Sequence, residues 1–127
     1  IKNNRDDKRD VAAIIIEPIS AFENNMATPY FYKRLRQIAL DNGIPFVVDE
    51  TKTGVGSTGK MWGHEHWNLS TPADIVTFGG KAGVSGFYST VNFRLDELSI
   101  GDAAEIPFEQ NVDMVKLLNF GVTWRYI

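Results

Sequence analysis

Apolar residues run without a break from Val11 to Ile16, VAAIII, and the run is rich in branched side chains. That is the pattern of a strand covered on both faces, and Glu17-Pro18 ends it. After a polar stretch, Thr28-Pro29 reads as a helix N-cap followed by proline at the first helical position. Phe31, Leu35, Ile38 and Asn42 then recur at spacings of four, three and four, and Gly43 suits a C-cap. The pattern predicts a helix from about Pro29 to Asp41 that buries Phe31, Leu35 and Ile38 while Lys33, Arg34 and Arg36 stay in water.

Pro45-Phe46-Val47-Val48 forms a second apolar strand and closes a strand-helix-strand unit, which implies a right-handed parallel crossover. Asp49-Glu50 stands at its carboxyl end. A glycine-rich stretch from Gly54 to Gly59 follows, then the aromatic block MWGHEHW, then a third strand from Asp74 to Phe78 that leads into Gly79-Gly80-Lys81. An alternating run predicts a short fourth strand from Phe87 to Val91. The fold class is therefore α/β with mostly parallel strands. In such sheets ligands gather beyond the carboxyl ends of the strands, so Glu17, Asp49 and Lys81 share one rim despite their separation in sequence. Beyond Arg94 the pattern weakens. Val112, Val115 and Leu118 mark one helix candidate, from about Phe108 to Leu118. The opening decapeptide IKNNRDDKRD has almost no apolar residue and reads as a charged surface segment or a truncation edge.

Composition narrows the chemistry. With 127 residues, 43% of them hydrophobic and 23% charged, the chain is long enough to bury a core. The absence of cysteine excludes a disulfide framework, a thiolate zinc site and a cysteine nucleophile. A net charge of -3, with basic residues scattered among acidic ones, gives no footprint for nucleic acid. No apolar run approaches the roughly 20 residues that cross a bilayer, and the first ten residues resemble no signal or transit peptide.

Three motifs compete for the function. Gly54 to Lys60 fits the G-x-x-x-x-G-K phosphate loop, but Met61 stands where Ser or Thr would hold magnesium, and the acidic strand end comes before the loop instead of after it. A glycine-rich turn is the plainer reading. His64 and His66 lack the spacing of a metal site and have no further histidine beside them, so packing between Trp62 and Trp67 is the plainer reading there too. The third constellation is Asp49 at one strand end and Lys81 in a glycine turn at the end of the next strand. Gly79, Gly80 and Gly83 remove bulk around that lysine, which would let it lie against a flat cofactor and form a Schiff base.

Several blocks then carry a resemblance. They are Ile15-Ile16-Glu17-Pro18-Ile19, Phe46-Val47-Val48-Asp49-Glu50, Thr53-Gly54 with Gly56-Ser57-Thr58-Gly59-Lys60, Trp62-Gly63-His64-Glu65-His66-Trp67, and Pro72 to Phe78 leading to Lys81. In this order and spacing, from about Val11 to Tyr88, the chain resembles the 4-aminobutyrate aminotransferases. These are class III pyridoxal-phosphate aminotransferases of fold type I. The resemblance implies that residues 11–92 are part of a pyridoxal-phosphate-binding large domain, that 1–10 are a surface segment or cut edge, and that 93–127 are a poorly matched tail. It implies Lys81 as the catalytic lysine that holds the cofactor aldehyde, and Asp49 as the partner of the pyridine nitrogen. The family reads Asp-Glu-Val-Gln where this chain reads Asp49-Glu50-Thr51-Lys52. Thr51 is thus implied to pack on the ring face, and Lys52 to donate to the phenolic oxygen. Phe120 to Trp124 faintly resembles a segment whose threonine, here Thr123, reaches the cofactor phosphate of the neighbouring subunit.

The reaction implied moves the amino group of 4-aminobutyrate to 2-oxoglutarate, giving succinate semialdehyde and glutamate. The partners implied are an amine, a 2-oxo acid and a second subunit, and the compartment implied is the mitochondrial matrix. Family members are several times longer, so the expectation is a fragment, inactive by itself. The alternatives are a catalytically impaired paralogue, a cofactor-free binding protein of the same fold, or a nucleotide-binding domain.

Overall fold

The structure, a computed structural model, describes residues 10–20, 22–93, 118–119 and 121–122, and of Lys81 the backbone. Four strands form one sheet in the order β1 (Ile14–Ile16), β2 (Phe46–Asp49), β3 (Ile75–Phe78) and β4 (Gly86–Ser89). The first three are parallel, with Ile16 beside Val48 and Asp49 beside Thr77, while β4 runs antiparallel to β3. The expected α/β class is borne out. The fourth strand lies one residue earlier and ends two residues earlier than its alternation suggests.

Helix α1 (Pro29–Asp41) connects β1 to β2 and has the predicted bounds. Thr28 is extended, and its hydroxyl accepts the Phe31 N–H at 3.4 Å, as an N-cap should. Gly43 closes the other end at φ +63°, a left-handed conformation that suits glycine. The buried face differs from expectation. Tyr32, Arg36 and Ala39 face the core with Leu35 partly buried beside them, whereas Phe31 is exposed. The helix is rotated by about one residue relative to the apolar pattern because Arg36 makes a two-pronged ion pair. Its Nη1 and Nη2 donate to Asp74 Oδ2 and Oδ1 at 2.7 and 3.0 Å, and Asp74 Oδ2 also accepts the Phe46 N–H at 2.9 Å. A guanidinium that is matched in this way can be buried. Lys33 and Arg34 remain in solvent as expected.

The core lies on the α1 side of the sheet. Phe46, Val48 and Val76 point there, under Ala39 and Ala73 and a stacked pair, Tyr32 on Trp67, with centroids 3.8 Å apart. The other face carries Ile15, Val47, Ile75 and Phe87, since side chains alternate along a strand. Ile15 is 70% exposed, so β1 is covered on one face and not on two. It is the outer strand of the described sheet, and α1 shields only one side. The first strand is also shorter than the run VAAIII. Of the tail helix expected at Phe108 to Leu118, all but Leu118 lies outside the described residues.

Removing Asp74 leaves a buried guanidinium and the Phe46 N–H without their partner. Asp74→Ala should cost about 3–5 kcal/mol of unfolding free energy, read as a lowered denaturant midpoint with an unchanged slope.

Candidate active site

Asp49 is the last residue of β2, and its side chain points away from the core face. Its Oδ1 accepts the Thr51 N–H at 3.0 Å and the Thr77 hydroxyl at 3.2 Å. Partial burial opposes its charge, but the Thr51 hydroxyl and N–H, the Thr77 hydroxyl and the Lys52 ammonium outweigh that and hold the Asp49 carboxyl below the usual carboxylate range. The group is therefore an oriented anion at neutral pH.

Lys81 is the middle residue of a 3₁₀ turn, Gly80–Ala82, that begins two residues beyond β3. This turn rests on the loop that follows Asp49. A Cβ at Gly80 would stand 2.6 Å from the Thr51 carbonyl oxygen, and Gly80 has φ +52°. A Cβ at Gly79 would stand 3.6 Å from the Thr51 methyl. Two adjacent glycines thus let the lysine-bearing backbone settle against Thr51. The structure brings together Asp49, Thr51, Thr77 and the backbone of Lys81. Glu17, the third residue expected at this rim, lines a separate cleft with Ala27 and Tyr32. Thr123 lies outside the described residues.

Glu50 does something the sequence reading did not assign to it. Strand alternation sends its side chain to the face opposite Asp49, where it is 1% exposed. Its Oε2 accepts from the Thr53 hydroxyl and from the Gly63 N–H at 3.0 Å; its Oε1 takes the His64 N–H at 2.8 Å and the His64 ring Nδ1 at 2.7 Å. Burial works against the charge, and these donors overcome it, so the Glu50 carboxyl lies below its ordinary value. Gly63 is glycine because a Cβ there would meet Pro18 and Thr53 at 3.0 and 3.1 Å. The signal available in the sequence was the adjacent acidic pair at a strand end, whose members must face opposite ways.

The aromatic block and the glycine stretch form one unit. Gly63–Trp67 is a 3₁₀ helix, and Glu65 accepts the Trp62 N–H at 2.8 Å. His66 Nε2 meets the Thr58 carbonyl oxygen at 3.1 Å, while Gly54 passes under the Trp62 ring. The Gly56 and Gly59 N–H groups point back to Met61 and Gly56 carbonyls at 3.3 and 3.1 Å. Those amides are engaged within the loop, and turns rather than an α-helix follow it, so the phosphate-loop resemblance of Gly54 to Lys60 does not extend to geometry. Among the described residues no group of three or more His, Asp or Glu side chains is placed to hold a metal ion. No helix among them is long and apolar enough to cross a membrane.

A parallel sheet joined by a crossover helix, with Asp49 and the Lys81 turn beyond the carboxyl ends of adjacent strands, is an α/β segment of the fold type I aminotransferases. The chain belongs to the class-III aminotransferase family, whose profile, "Aminotransferase class-III", matches residues 1–100. It is 52% identical over 88 residues to the 4-aminobutyrate aminotransferase of Dictyostelium discoideum, covering 68% of this chain and 18% of that one. It is 50% identical over 91 residues to the mitochondrial 4-aminobutyrate aminotransferase of Mus musculus, covering 71% of this chain and 18% of that one. The lysine aminotransferase of M. tuberculosis, solved in its internal aldimine form, superposes with a TM-score of 0.62 at 28% identity, over 68% of this chain and 20% of that one. The chain thus spans about 18% of the length of these curated relatives. Class-III aminotransferases depend on pyridoxal phosphate. The donor set here fits that group: an ionised, hydrogen-bonded carboxylate for a cationic ring nitrogen, and a lysine on a bulk-free turn of the adjacent strand for an aldehyde.

Two outcomes follow from this geometry. Because the Glu50 carboxyl is lowered on folding, its stabilisation is complete above the unfolded glutamate value of about 4.3 and is lost as pH falls through the lower folded value. Glu50→Gln should cost about 3 kcal/mol near neutral pH, and the gap between parent and variant in denaturant titrations should close in acid over that window. Gly80→Ala should cost at least about 1–2 kcal/mol for the left-handed backbone alone, again read from the denaturant midpoint.

Proposed function

We propose that this chain is the cofactor-binding segment of an aminotransferase that transfers the amino group of 4-aminobutyrate to 2-oxoglutarate. The observation that carries the reading is the ionised Asp49 at the end of β2, with the Lys81 turn packed on the Thr51 loop beside it. Relatives that bear the name 4-aminobutyrate aminotransferase, at about half identity, support the choice of substrate. When bound, pyridoxal phosphate supplies a cationic ring that disperses negative charge from the substrate carbon.

The chain's own residues would do the rest. Asp49 holds a proton on the ring nitrogen, since a carboxylate beside a cation favours the charged form by about 1–3 pKa units. Lys81 would hold the cofactor aldehyde through Nζ and, once its amine is free, would move a proton at the substrate carbon as base and acid. The Thr51 methyl would pack on the ring face, and Lys52 would donate one N–H to the phenolic oxygen. The resemblance would give Thr123 to the cofactor phosphate of a second subunit, so the reading includes a homodimer. Relatives named as mitochondrial support a mitochondrial matrix location.

Borohydride reduction of the full natural chain with limiting pyridoxal phosphate, followed by peptide mass spectrometry, should place the label on Lys81 and not on Lys52 or Lys60. Asp49→Asn should lower the yield, and Lys81→Ala should abolish glutamate formation from 4-aminobutyrate and 2-oxoglutarate. Label spread evenly over the surface lysines would overturn the assignment.

A further inference from the structure

Beside the Asp49 loop the structure holds an open groove of about 300 Å³, lined by Lys52, Ser20, Asn24, Thr53, Ser57 and Thr58. Its polar groups are unevenly matched. The Thr53 hydroxyl donates to Glu50, and the Ser57 hydroxyl donates to the Gly54 carbonyl oxygen at 2.9 Å. Ser20 Oγ accepts the Glu23 N–H at 3.4 Å and keeps its own hydrogen to give. The Thr58 hydroxyl lies 3.2 Å from His66 Nε2. The Lys52 ammonium has no hydrogen bond or ion pair among the described residues, and acts on Asp49 only through space. The Asn24 side-chain amide is likewise without a partner among them. No carboxylate lines the groove, and the acidic residue on its rim loop, Glu23, accepts from the Asn25 amide at 3.0 Å. The groove therefore offers a full positive charge, two further donors and, in the Asn24 amide oxygen, one neutral acceptor, with no negative charge among its lining residues. Ile19 supplies an apolar wall.

We infer that this groove binds the carboxylate of a short aliphatic acid, with Lys52 as its cation and Asn24 and Ser20 as neutral donors. This rests on the proposed aminotransferase reading, and assigns a substrate-carboxylate subsite to a position where the resembling family carries an uncharged glutamine. An ammonium has three N–H donors, so a bond to the cofactor's phenolic oxygen leaves two for a carboxylate. An amide at the same place lacks the charge that makes such bonds strong. Ile19, in the lining of the same groove, offers a methylene chain an apolar surface, which favours a carboxylate on a hydrocarbon stem over a bare inorganic anion.

The test is binding of glutarate, an unreactive dicarboxylate, and of glutaramide, its neutral analogue, to the full natural chain without added cofactor at low salt. The inference expects glutarate to bind more tightly than glutaramide, and Lys52→Gln to weaken glutarate at least fivefold while leaving glutaramide unchanged. Lys52→Arg should retain binding, and Asn24→Ala should weaken it about twofold. Matched circular dichroism and melting midpoints separate loss of binding from loss of fold. Glutarate affinity for Lys52→Gln within twofold of the parent would overturn the inference. The Lys81 label is read separately. If the label scatters while glutarate binding still depends on Lys52, the aminotransferase reading fails and the subsite stands. If Lys81 is labelled and Lys52→Gln binds normally, the subsite alone falls.

Discussion

A carboxylate sealed from water must be met by donors or it is not tolerated, and the Glu50 side chain is sealed. Its two oxygens draw Thr53, Gly63 and His64 onto the end of β2. The segment between residues 51 and 67 is thereby tied to the strand end at Thr53, Gly63 and His64. The turn that carries Thr51 and Lys52 is closed by the Thr53 hydroxyl, and the Gly63–Trp67 helix is pulled under the sheet, where Trp67 stacks on Tyr32. Asp49, one residue earlier, faces the other way and is free of this structural duty. One strand end thus provides an anion for architecture and, in the proposed function, an anion for chemistry.

An ion pair does the same work at the opposite end of the strands. Asp74 precedes β3, accepts the first N–H of β2, and is gripped by Arg36 of α1. The helix is consequently fixed in rotation by a charged contact, with Tyr32 and Ala39 carried inward on the same face. The apolar layer of Phe46, Val48 and Val76 lies between the two polar anchors. Neither anchor is a large source of net stability in itself, since desolvation offsets much of the attraction. Each makes alternative placements costly.

The backbone course was legible because local signals agreed. Thr28-Pro29 and Gly43 marked the ends of α1, and branched apolar runs marked β1 to β3. The rim location of Asp49 and of the Lys81 turn followed from parallel strand order. What the sequence hid was the direction of side chains whose partners are remote. Arg36 reads as a solvated cation until Asp74, far along the chain, is brought beside it. Glu50 reads as part of an acidic pair until the loop returns with Gly63 and His64. Burial of β1 was overestimated for the same reason, because an apolar run does not say how many layers will cover it.

The sheet face that carries Ile15, Val47, Ile75 and Phe87 has a practical corollary, since Ile15 and Phe87 are exposed and β1 is the outer strand among the described residues. Greasy area next to an outer strand is the recipe for sideways aggregation. Strongly excluded salts such as ammonium sulfate will drive such molecules together at modest concentration. Preparative work on this polypeptide therefore favours dilute, low-salt handling, with crowding and salting-out steps left until last.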